Sequence, residues 1–450
     1  MRPHSTAIET PGESCSYEQL HLAACLAAGE LTARGTARGA RVAIALPAGL
    51  GFAQALHACL LLGAVAVPID PRLAAVEQQR IVAGCAVHVN EPLGQGMPAQ
   101  AHVPTAARHD LDATAVVIHT SGTTAAPRPI ELTYGNLLWS ALGSAVALGL
   151  DPDERWLCTL PLSHVGGLSI LVRSAIYAST AVVHERFETE RALAALREQR
   201  VTLVSLVATT LARLLDAGLA DPPALRCALT GGGPVPAALV QRAHRAGVPV
   251  GLTYGLSETC SQVTTTPIAE IEAARESADA APASAGPPLF CTRVRIAADE
   301  EILVRGPTVA PRSLAGESPG AEAPVAVPAG WLHTGDLGSL DARGRLRVTG
   351  RKADTIVSGG ENVAPAEVEA VLEAHPHVLE AAVLGRSDEQ WGEAVTAIVI
   401  ARPGETLEIE QLRKHCARAL APFKVPKQFV LAAEPLPRTR SGKLLRRELR

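Results

Sequence analysis

One short run of hydroxylated residues has the composition of a phosphate-binding loop. The run Thr120-Ser121-Gly122-Thr123-Thr124 continues an apolar segment that is typical of a strand, and Arg128 lies four residues further on. A polyphosphate needs many hydrogen-bond donors at once, with no bulky side chains in the way and a cation nearby. The run is not a Walker loop, because the pattern G-x-x-x-x-G-K-[ST] is absent. On these residues alone, a phosphate site and an ordinary turn both stay open.

Five further segments are rich in glycine and polar residues, and they follow in a fixed order. They are LTGGGPVP (229–236), TYGLSET (253–259), GWLHTGDLG (330–338), GRKADTIVSGGENVAPAEVE (350–369) and PRTRSGKLLRREL (437–449). Together with the first run, they resemble the motifs of the acyl-adenylate-forming superfamily, which comprises acyl-CoA synthetases, firefly luciferases and nonribosomal-peptide adenylation domains. The resemblance extends from about residue 16 to the end of the chain, and six motifs in order are far more specific than any one.

The resemblance implies an activity and a set of cofactors. Members of the superfamily convert a carboxylic acid and ATP to an acyl-AMP with loss of pyrophosphate, and a thiol such as coenzyme A then displaces AMP. Mg²⁺ prefers oxygen ligands, and by resemblance Glu258 helps to bind it. The implied nucleotide-binding residues are Thr120, Ser121, Gly122, Thr123, Thr124, Gly231, Gly232, Gly233, Tyr254, Gly255, Ser257, Asp336 and Arg351.

The resemblance also implies which of these residues bind each part of ATP. The hydroxyl run and Arg128 hold the β- and γ-phosphates. Gly231 to Gly233 and Tyr254 sandwich the adenine, while Asp336 accepts hydrogen bonds from the ribose hydroxyls and Arg351 approaches the same sugar. Lys443 and Arg128 are the implied catalytic residues, because a flexible ammonium can bridge the substrate carboxylate and the α-phosphate.

Each of these residues also has a plainer explanation when it is taken alone. Asp336 could be a turn carboxylate and Glu258 a residue that caps a helix at the surface. Lys443 could be one cation of an exposed basic tail, whose arginines are Arg438, Arg440, Arg446, Arg447 and Arg450. The ordered set of motifs favours the functional interpretation over these alternatives.

The hydroxyl run departs from the superfamily pattern at three positions. Ala125 and Pro129 stand where glycines are usual, and Arg128 stands where lysine is usual. Losing glycine restricts the backbone to negative φ, which stiffens the loop. Arginine keeps the positive charge and adds a planar fork that suits phosphate. We expect the loop to remain functional.

Three apolar segments indicate which carboxylic acid is the substrate. The segments 136–150, 155–188 and 204–216 resemble the o-succinylbenzoate–CoA ligases of menaquinone biosynthesis. In that family the P-L-x-H-V-G-G-L turn lines the acyl pocket, which implies that His164, Gly166 and Gly167 lie there. Gly359 and Gly360 correspond to the glycines that line the pantetheine tunnel. A structural role for His164, as a buried imidazole with a backbone partner, stays open.

Other functions also stay open. The acid could be another small aryl or short-chain carboxylate. The acceptor could be a carrier protein rather than coenzyme A, or the chain could be an inactive nucleotide-binding relative. The small-molecule partners that we expect are the carboxylic acid, ATP and coenzyme A, and the sequence leaves formation of a homo-oligomer open.

Alternating apolar and helical segments predict the scaffold that positions these residues. RVAIALP (41–47), VAVPID (65–70), ATAVVIHT (113–120) and VTLVSLV (201–207) are strand-like, with helical segments between them. Such alternation predicts an α/β fold with largely parallel sheets. We expect a large N-terminal domain (1–350) of parallel-rich sheets with helices and a small antiparallel or β-barrel-like part. A small, mobile α+β C-terminal domain (351–450) follows it.

Composition narrows the class of protein. The chain of 450 residues is 47% hydrophobic and 19% charged with a net charge of −4, which lacks the basic bias of a nucleic-acid-binding protein. Its nine cysteines are scattered without a C-x-x-C pair, which argues against a disulfide framework or a zinc site and favours a reducing compartment. The uncharged stretch 42–69 is divided by prolines and glycines, so we expect strand, helix and strand there rather than a membrane span. With no apolar leader visible, we expect a cytoplasmic protein.

Overall fold

The computed structural model describes residues 2–94, 108–120, 128–275, 284–311, 330–358, 361–388, 391–438 and 444–449. Its strands are β1 (Thr6–Glu9), β2 (Ser14–Ser16), β3 (Arg41–Ile44), β4 (Val65–Pro68), β5 (Val87–Val89), β6 (Thr114–Thr120), β7 (Arg128–Thr133), β8 (Arg155–Cys158), β9 (Thr180–Val183), β10 (Leu203–Leu206), β11 (Cys227–Thr230), β12 (Val250–Leu256), β13 (Ser261–Thr265), β14 (Arg293–Ile296), β15 (Glu301–Arg305), β16 (Leu332–Leu340), β17 (Leu346–Arg351), β18 (Ile356–Ser358), β19 (Glu361–Val363), β20 (Val378–Asp388), β21 (Gly392–Ala401) and β22 (Gln428–Ala432).

Helices alternate with these strands over most of the chain. The α-helices are α1 (Tyr17–Ala33), α2 (Leu50–Leu62), α3 (Ala75–Val82), α4 (Tyr134–Leu148), α5 (Val165–Tyr177), α6 (Thr189–Glu198), α7 (Ala208–Asp216), α8 (Ala237–Arg245), α9 (Ile268–Arg275), α10 (Pro365–Glu373) and α11 (Ile409–Ala419). Short 3₁₀ helices cover Ser257–Thr259, Lys352–Asp354 and Arg446–Glu448.

Two sheets that are mostly parallel form the larger part of the molecule. The first has the order β13-β12-β11-β10-β8-β9-β1-β2, and its interior pairs are parallel while its two end pairs are antiparallel. The second has the order β5-β3-β4-β6-β7 and is parallel except for the β6–β7 pair. Short, fully buried runs such as Leu203–Leu206 form the interior strands, as expected for sheets covered on both faces. The α/β prediction is confirmed.

The uncharged stretch 42–69 folds as strand, helix and strand. Helix α2 spans 13 residues between β3 and β4, and it ends at Gly63, which has the left-handed φ of +67° that glycine adopts readily. In the part of the chain that the structure describes, no helix is both long and apolar enough to cross a bilayer.

The small part predicted within the N-terminal domain forms an antiparallel sheet, which is one of the two forms that the sequence predicted. Its order is β14-β15-β16-β17, and every pair is antiparallel. Residues 276–283 and 312–329, which belong to the same region, lie outside the described residues.

The C-terminal region has a sheet and a core of its own. Strands β18 to β22 form the fourth sheet, and α10 and α11 contribute Val368, Leu372 and Leu412 to its apolar core. The third sheet ends with β17 at Arg351, and the fourth begins with β18 at Ile356. The domain boundary predicted between residues 350 and 351 falls at this change of sheet and stays a prediction.

Candidate active site

The predicted phosphate-binding run connects two strands of a hairpin. Thr120 is the last residue of β6 and pairs with Arg128, the first residue of β7, and its hydroxyl donates to the Arg128 carbonyl oxygen over 3.3 Å. The remaining residues of the run, Ser121 to Thr124, lie outside the described residues together with Ala125. The described hairpin therefore places Thr120 and Arg128 side by side at its loop end.

His119, which the sequence did not single out, stands beside Thr120. Burial and the positive charge of Arg41 lower the pKa of His119 to about 4, so the imidazole is neutral at pH 7. Its Nδ1 atom is buried and has no hydrogen-bond partner among the described residues. No pattern in the sequence pointed to this histidine, because one histidine in an apolar strand has no informative spacing.

The glycine-rich turn after β11 packs against β12. A Cβ atom on Gly231 would lie 2.6 Å from the carbonyl oxygen of Thr253, so only glycine allows this approach. Gly232 has a φ of +78°, and a Cβ on Gly233 would meet no atom within 4 Å. The turn therefore presents open backbone next to Tyr254, which follows Thr253 in β12.

The next predicted residues continue along β12 into a tight connection. Gly255 lies against Ser261 of β13, whose carbonyl oxygen would be 1.6 Å from an added Cβ. Ser257 and Glu258 follow in the 3₁₀ helix Ser257–Thr259. The side chain of Glu258 is partly exposed, and no ion pair or hydrogen bond to its carboxylate is recorded among the described residues. A carboxylate of this kind fits Mg²⁺, which is commonly held by one or two carboxylates together with substrate phosphates.

Asp336 connects two other predicted residues. The Tyr254 hydroxyl donates to its Oδ2 atom over 2.9 Å, and the Arg351 Nε atom lies 3.0 Å from its Oδ1 atom. Burial and the negative charge of Asp336 raise the pKa of the Tyr254 phenol, so the phenol stays protonated and donates. Each carboxylate oxygen has two lone pairs, and the carboxylate can therefore accept further hydrogen bonds from a ligand.

The loop that carries Asp336 rests on Glu301 of β15. This buried carboxylate accepts from the Gly335 backbone N–H over 3.0 Å, is hydrogen-bonded to His333 Nδ1 at 3.0 Å, and lies 3.3 Å from Lys352 Nζ. Burial would raise the pKa of Glu301, but these hydrogen bonds outweigh burial and lower it. Gly335 has a φ of +69°, which explains the glycine before the aspartate.

The residues predicted to line the acyl pocket lie at the start of α5. His164 is the N-cap residue of this helix, and Gly167 packs so closely that an added Cβ would be 2.5 Å from the Pro161 carbonyl oxygen. A Cβ on Gly166 would lie 3.4 Å from Leu160. Burial would raise the pKa of Asp70, but hydrogen bonds from Arg72 lower it overall, and the nearby charge of His164 contributes to the lowering. His164 therefore lies within electrostatic reach of the Asp70–Arg72 ion pair.

The segment between the third and fourth sheets is tied to both of them. Lys352 Nζ lies 2.7 Å from Asp299 Oδ2, on the N-terminal side of the molecule. Asp354 Oδ2 lies 3.2 Å from Nη1 of Arg446 in the C-terminal tail. Between them, Ala353 has only a methyl side chain. Gly359, Gly360 and Lys443 lie outside the described residues.

Several polar residues of this region had no signal in the sequence. Glu301 opens an apolar strand, and Arg446 stands in a basic tail that looks solvated. A residue's partner is not visible when it lies tens of residues away along the chain.

Comparison with known proteins identifies the family. The AMP-binding enzyme family matches residues 1–313, and the AMP-binding enzyme C-terminal domain matches residues 367–443. These matches cover most of the chain, which therefore belongs to the AMP-binding enzyme family. A 2-succinylbenzoate–CoA ligase of Bacillus cereus is 38% identical over 480 residues, which cover 100% of this chain and 96% of that relative.

Solved structures of one relative give the same result. The o-succinylbenzoate CoA synthetase of Bacillus subtilis in complex with its acyl-adenylate intermediate has a TM-score of 0.88 and 36% identity, covering 100% of this chain and 96% of that one. Its complex with ATP and magnesium ion has a TM-score of 0.87 and 36% identity, covering 99% and 97%.

A third structure of that relative differs more. A double mutant bound to a product analogue has a TM-score of 0.72 at 36% identity, with 100% and 96% coverage. The three structures are of one enzyme, so their different TM-scores reflect different conformations of that enzyme. The present structure is more similar to the arrangement in the acyl-adenylate complex.

Asp336 with its partners Tyr254 and Arg351, which we call the Asp336 cluster, generates a test of nucleotide binding. Asp336→Asn should weaken AMP binding about 10- to 100-fold, since a hydrogen bond to a charged group contributes roughly 1.5–3 kcal/mol. Asp341→Asn is the matched control, because Asp341 is an exposed carboxylate in the β16–β17 turn that, among the described residues, accepts from the backbone amides of Arg343 and Arg345 alone. Titration calorimetry gives both dissociation constants. Unchanged AMP affinity in a folded Asp336→Asn protein would show that Asp336 is only a turn carboxylate.

Proposed function

We propose that the chain is an ATP-dependent o-succinylbenzoate–CoA ligase of menaquinone biosynthesis. The observation that carries the proposal is the full-length similarity to the 2-succinylbenzoate–CoA ligase of Bacillus cereus, at 38% identity. A likeness restricted to the nucleotide motifs would support only the coarser activity, which is AMP-forming ligation of an acid to a thiol. Because this similarity extends across the apolar segments as well, it supports o-succinylbenzoate as the acid substrate.

The Asp336 cluster supports the proposed nucleotide site. In the ligase, the Asp336 carboxylate accepts hydrogen bonds from the ribose hydroxyls while Tyr254 and Arg351 hold its orientation. Tyr254 and the open backbone of Gly231 to Gly233 enclose the adenine. Gly255 and Ser257, which follow Tyr254 along the chain, line the same side of the nucleotide. A fixed carboxylate binds better than a mobile one, because less conformational entropy is lost on binding.

The β6–β7 hairpin supports the phosphate end of the site. Thr120 and Arg128 stand at its loop end. In this proposal, the hydroxyls and amides of residues 121–124 complete the donor set for the β- and γ-phosphates. Glu258, together with phosphate oxygens, would hold Mg²⁺, whose charge would reduce the repulsion between the anionic groups. The Arg128 guanidinium adds a planar pair of donors for the departing pyrophosphate.

The proposed reaction has two steps. A carboxylate oxygen of the acid attacks the α-phosphorus of ATP, the bond from that phosphorus to the β-phosphate oxygen breaks, and pyrophosphate leaves. Lys443 bridges the incoming carboxylate and an α-phosphate oxygen while charge moves between them. The thiolate of coenzyme A then attacks the acyl carbonyl carbon, and AMP leaves with the bridging oxygen.

Different regions serve the two steps in this proposal. His164, Gly166 and Gly167 line the path of the acyl group, and Gly359 and Gly360 line the path of the pantetheine arm. Residues 351–450 form a mobile domain that presents Lys443 for the first step and the 358–362 loop for the second. All nine cysteines are free thiols, which is consistent with the cytoplasmic location that we propose.

The acid is tested by measuring pyrophosphate release for a panel of carboxylic acids, with and without coenzyme A. We expect o-succinylbenzoate to give the highest kcat/KM and coenzyme A to be the acceptor. A higher kcat/KM for benzoate or a medium-chain acid would replace the proposal with a different CoA ligase. Thioester formation on a holo-carrier protein but not on free coenzyme A would make the chain an adenylation module.

Lys443 is tested through the two half-reactions separately. Lys443→Ala should slow acyl-AMP formation by roughly 10²–10³, the effect of losing one preorganised charge-stabilising donor. Thioester formation from supplied acyl-AMP should change far less. Lys414→Ala, which removes an exposed lysine of α11, is the control. Equal losses in both half-reactions would show that Lys443 has a structural role.

A further inference from the structure

The described residues on either side of the segment that contains Lys443 pair with each other. Arg438 and Leu444 form an antiparallel bridge, and the Leu445 N–H donates to the Pro437 carbonyl oxygen over 2.8 Å. Lys443 is covalently bonded to Leu444, so the backbone from which its side chain starts is one residue from this bridge. Contacts that fix the bridge therefore restrain the described backbone on both sides of the segment that contains Lys443.

Apolar contacts hold both sides of the bridge against one face of the sheet. Leu436 before the bridge and Leu444 and Leu449 after it pack on a cluster contributed by β20 and β21. This cluster consists of Ala382, Leu384, Ile398 and Ile400. Apolar contacts of this kind hold the segment on the sheet but are not directional, so they leave its position along the sheet weakly defined.

Two arginines supply the directional contacts. Arg438 forms an ion pair with Glu380 of β20. Arg446 places its Nη2 atom 2.7 Å from both carboxylate oxygens of Glu369 in α10, and its Nε atom 3.3 Å from the Val383 carbonyl oxygen. Glu369 is 9% exposed and also accepts from the Val383 N–H over 2.8 Å. The guanidinium is therefore held at three points in a mostly buried environment.

The same guanidinium also reaches the junction between the sheets. Its Nη1 atom lies 3.2 Å from Asp354, the last residue of the 3₁₀ helix Lys352–Asp354. One side chain therefore connects the tail, α10 and the junction. If the C-terminal domain rotates about this junction, the tail must rotate with Asp354 and α10 rather than lag behind them.

We propose that Arg446, held by Glu369 and Asp354, is the positioning residue for Lys443 in the acyl-AMP-forming step. This proposal rests on the proposed function. Arg446 does not reach the reacting atoms in this account. It acts by fixing the backbone of Leu444 and Leu445, so that the Lys443 ammonium arrives in one place each time the domain presents it.

The test uses Glu369→Gln, which keeps the size of the side chain and removes its charge. We expect acyl-AMP formation to slow about 10- to 100-fold, because a small misplacement of a catalytic group has effects of this size. Thioester formation from supplied acyl-AMP, and the KM for ATP, should stay within about twofold, as for a change remote from those events. Arg446→Lys is the second variant, since an ammonium keeps the charge but cannot span Glu369, Asp354 and Val383 together.

Glu367→Gln is the matched control on the same helix. Glu367 forms an exposed ion pair with Lys424, and no hydrogen bond or ion pair joins it to the described residues of the tail. Its substitution should leave both half-reactions unchanged. Melting temperatures of all variants separate a loss of positioning from a loss of folding.

A double mutant decides between positioning and structural roles. In Lys443→Ala protein, adding Glu369→Gln should cause no further loss of acyl-AMP formation, because the pair acts only through Lys443. A further loss in the double mutant, equal losses in both half-reactions, or full acyl-AMP formation by Glu369→Gln would overturn the proposal. Failure of the wild type to use o-succinylbenzoate would instead overturn the proposed acid, and the same comparison would then be made with the acid that it uses.

Discussion

In the proposed enzyme, both the nucleotide site and the junction to the C-terminal region depend on the Asp336 carboxylate. One of its oxygens accepts from Tyr254 and the other pairs with Arg351. Tyr254 belongs to the first sheet, Asp336 to the third, and Arg351 is the last residue before the junction. In the proposed enzyme, the group that binds the ribose therefore also fixes the residue at which the C-terminal region begins. In that enzyme, this one carboxylate would connect binding of the nucleotide to the position of the junction.

The contacts on either side of Ala353 suit it to be the pivot of the proposed enzyme. Lys352 is paired with Asp299 and Glu301 on the N-terminal side, and Asp354 is paired with Arg446 on the C-terminal side. Lys352 is thus tied to the N-terminal side of the junction and Asp354 to the C-terminal side. Ala353 between them has a side chain too small to make directional contacts. In the proposed enzyme, a change in the backbone angles of Ala353 would turn the C-terminal region while the pairs on either side stay formed. The proposed reaction needs such a pivot, because its two steps require different groups at one active site.

The sequence predicted the scaffold better than the contacts within the site. Segments such as 41–47 and 201–207 are short and apolar between helical stretches, and they form the buried strands β3 and β10, because local pattern determines which residues must be covered. The motifs also pointed to Tyr254, Asp336 and Arg351, which the fold brings together. What the sequence could not show is which charges pair. Arg446 looks like one of several solvated cations, yet it is held by Glu369, 77 residues away. Glu301 likewise looks like an ordinary strand residue, although it supports the loop that carries Asp336.

The most direct test of the pivot at Ala353 is Ala353→Pro, measured in both half-reactions. Proline fixes φ near about −65°, so the variant should retain one domain arrangement. We expect one of the two rates, pyrophosphate release or thioester formation from supplied acyl-AMP, to stay near normal. The other rate should fall by orders of magnitude, with an unchanged melting temperature. Ala353→Ser, which leaves φ free, should keep both rates. If Ala353→Pro lowers both rates together or changes neither, the chain does not turn at this residue.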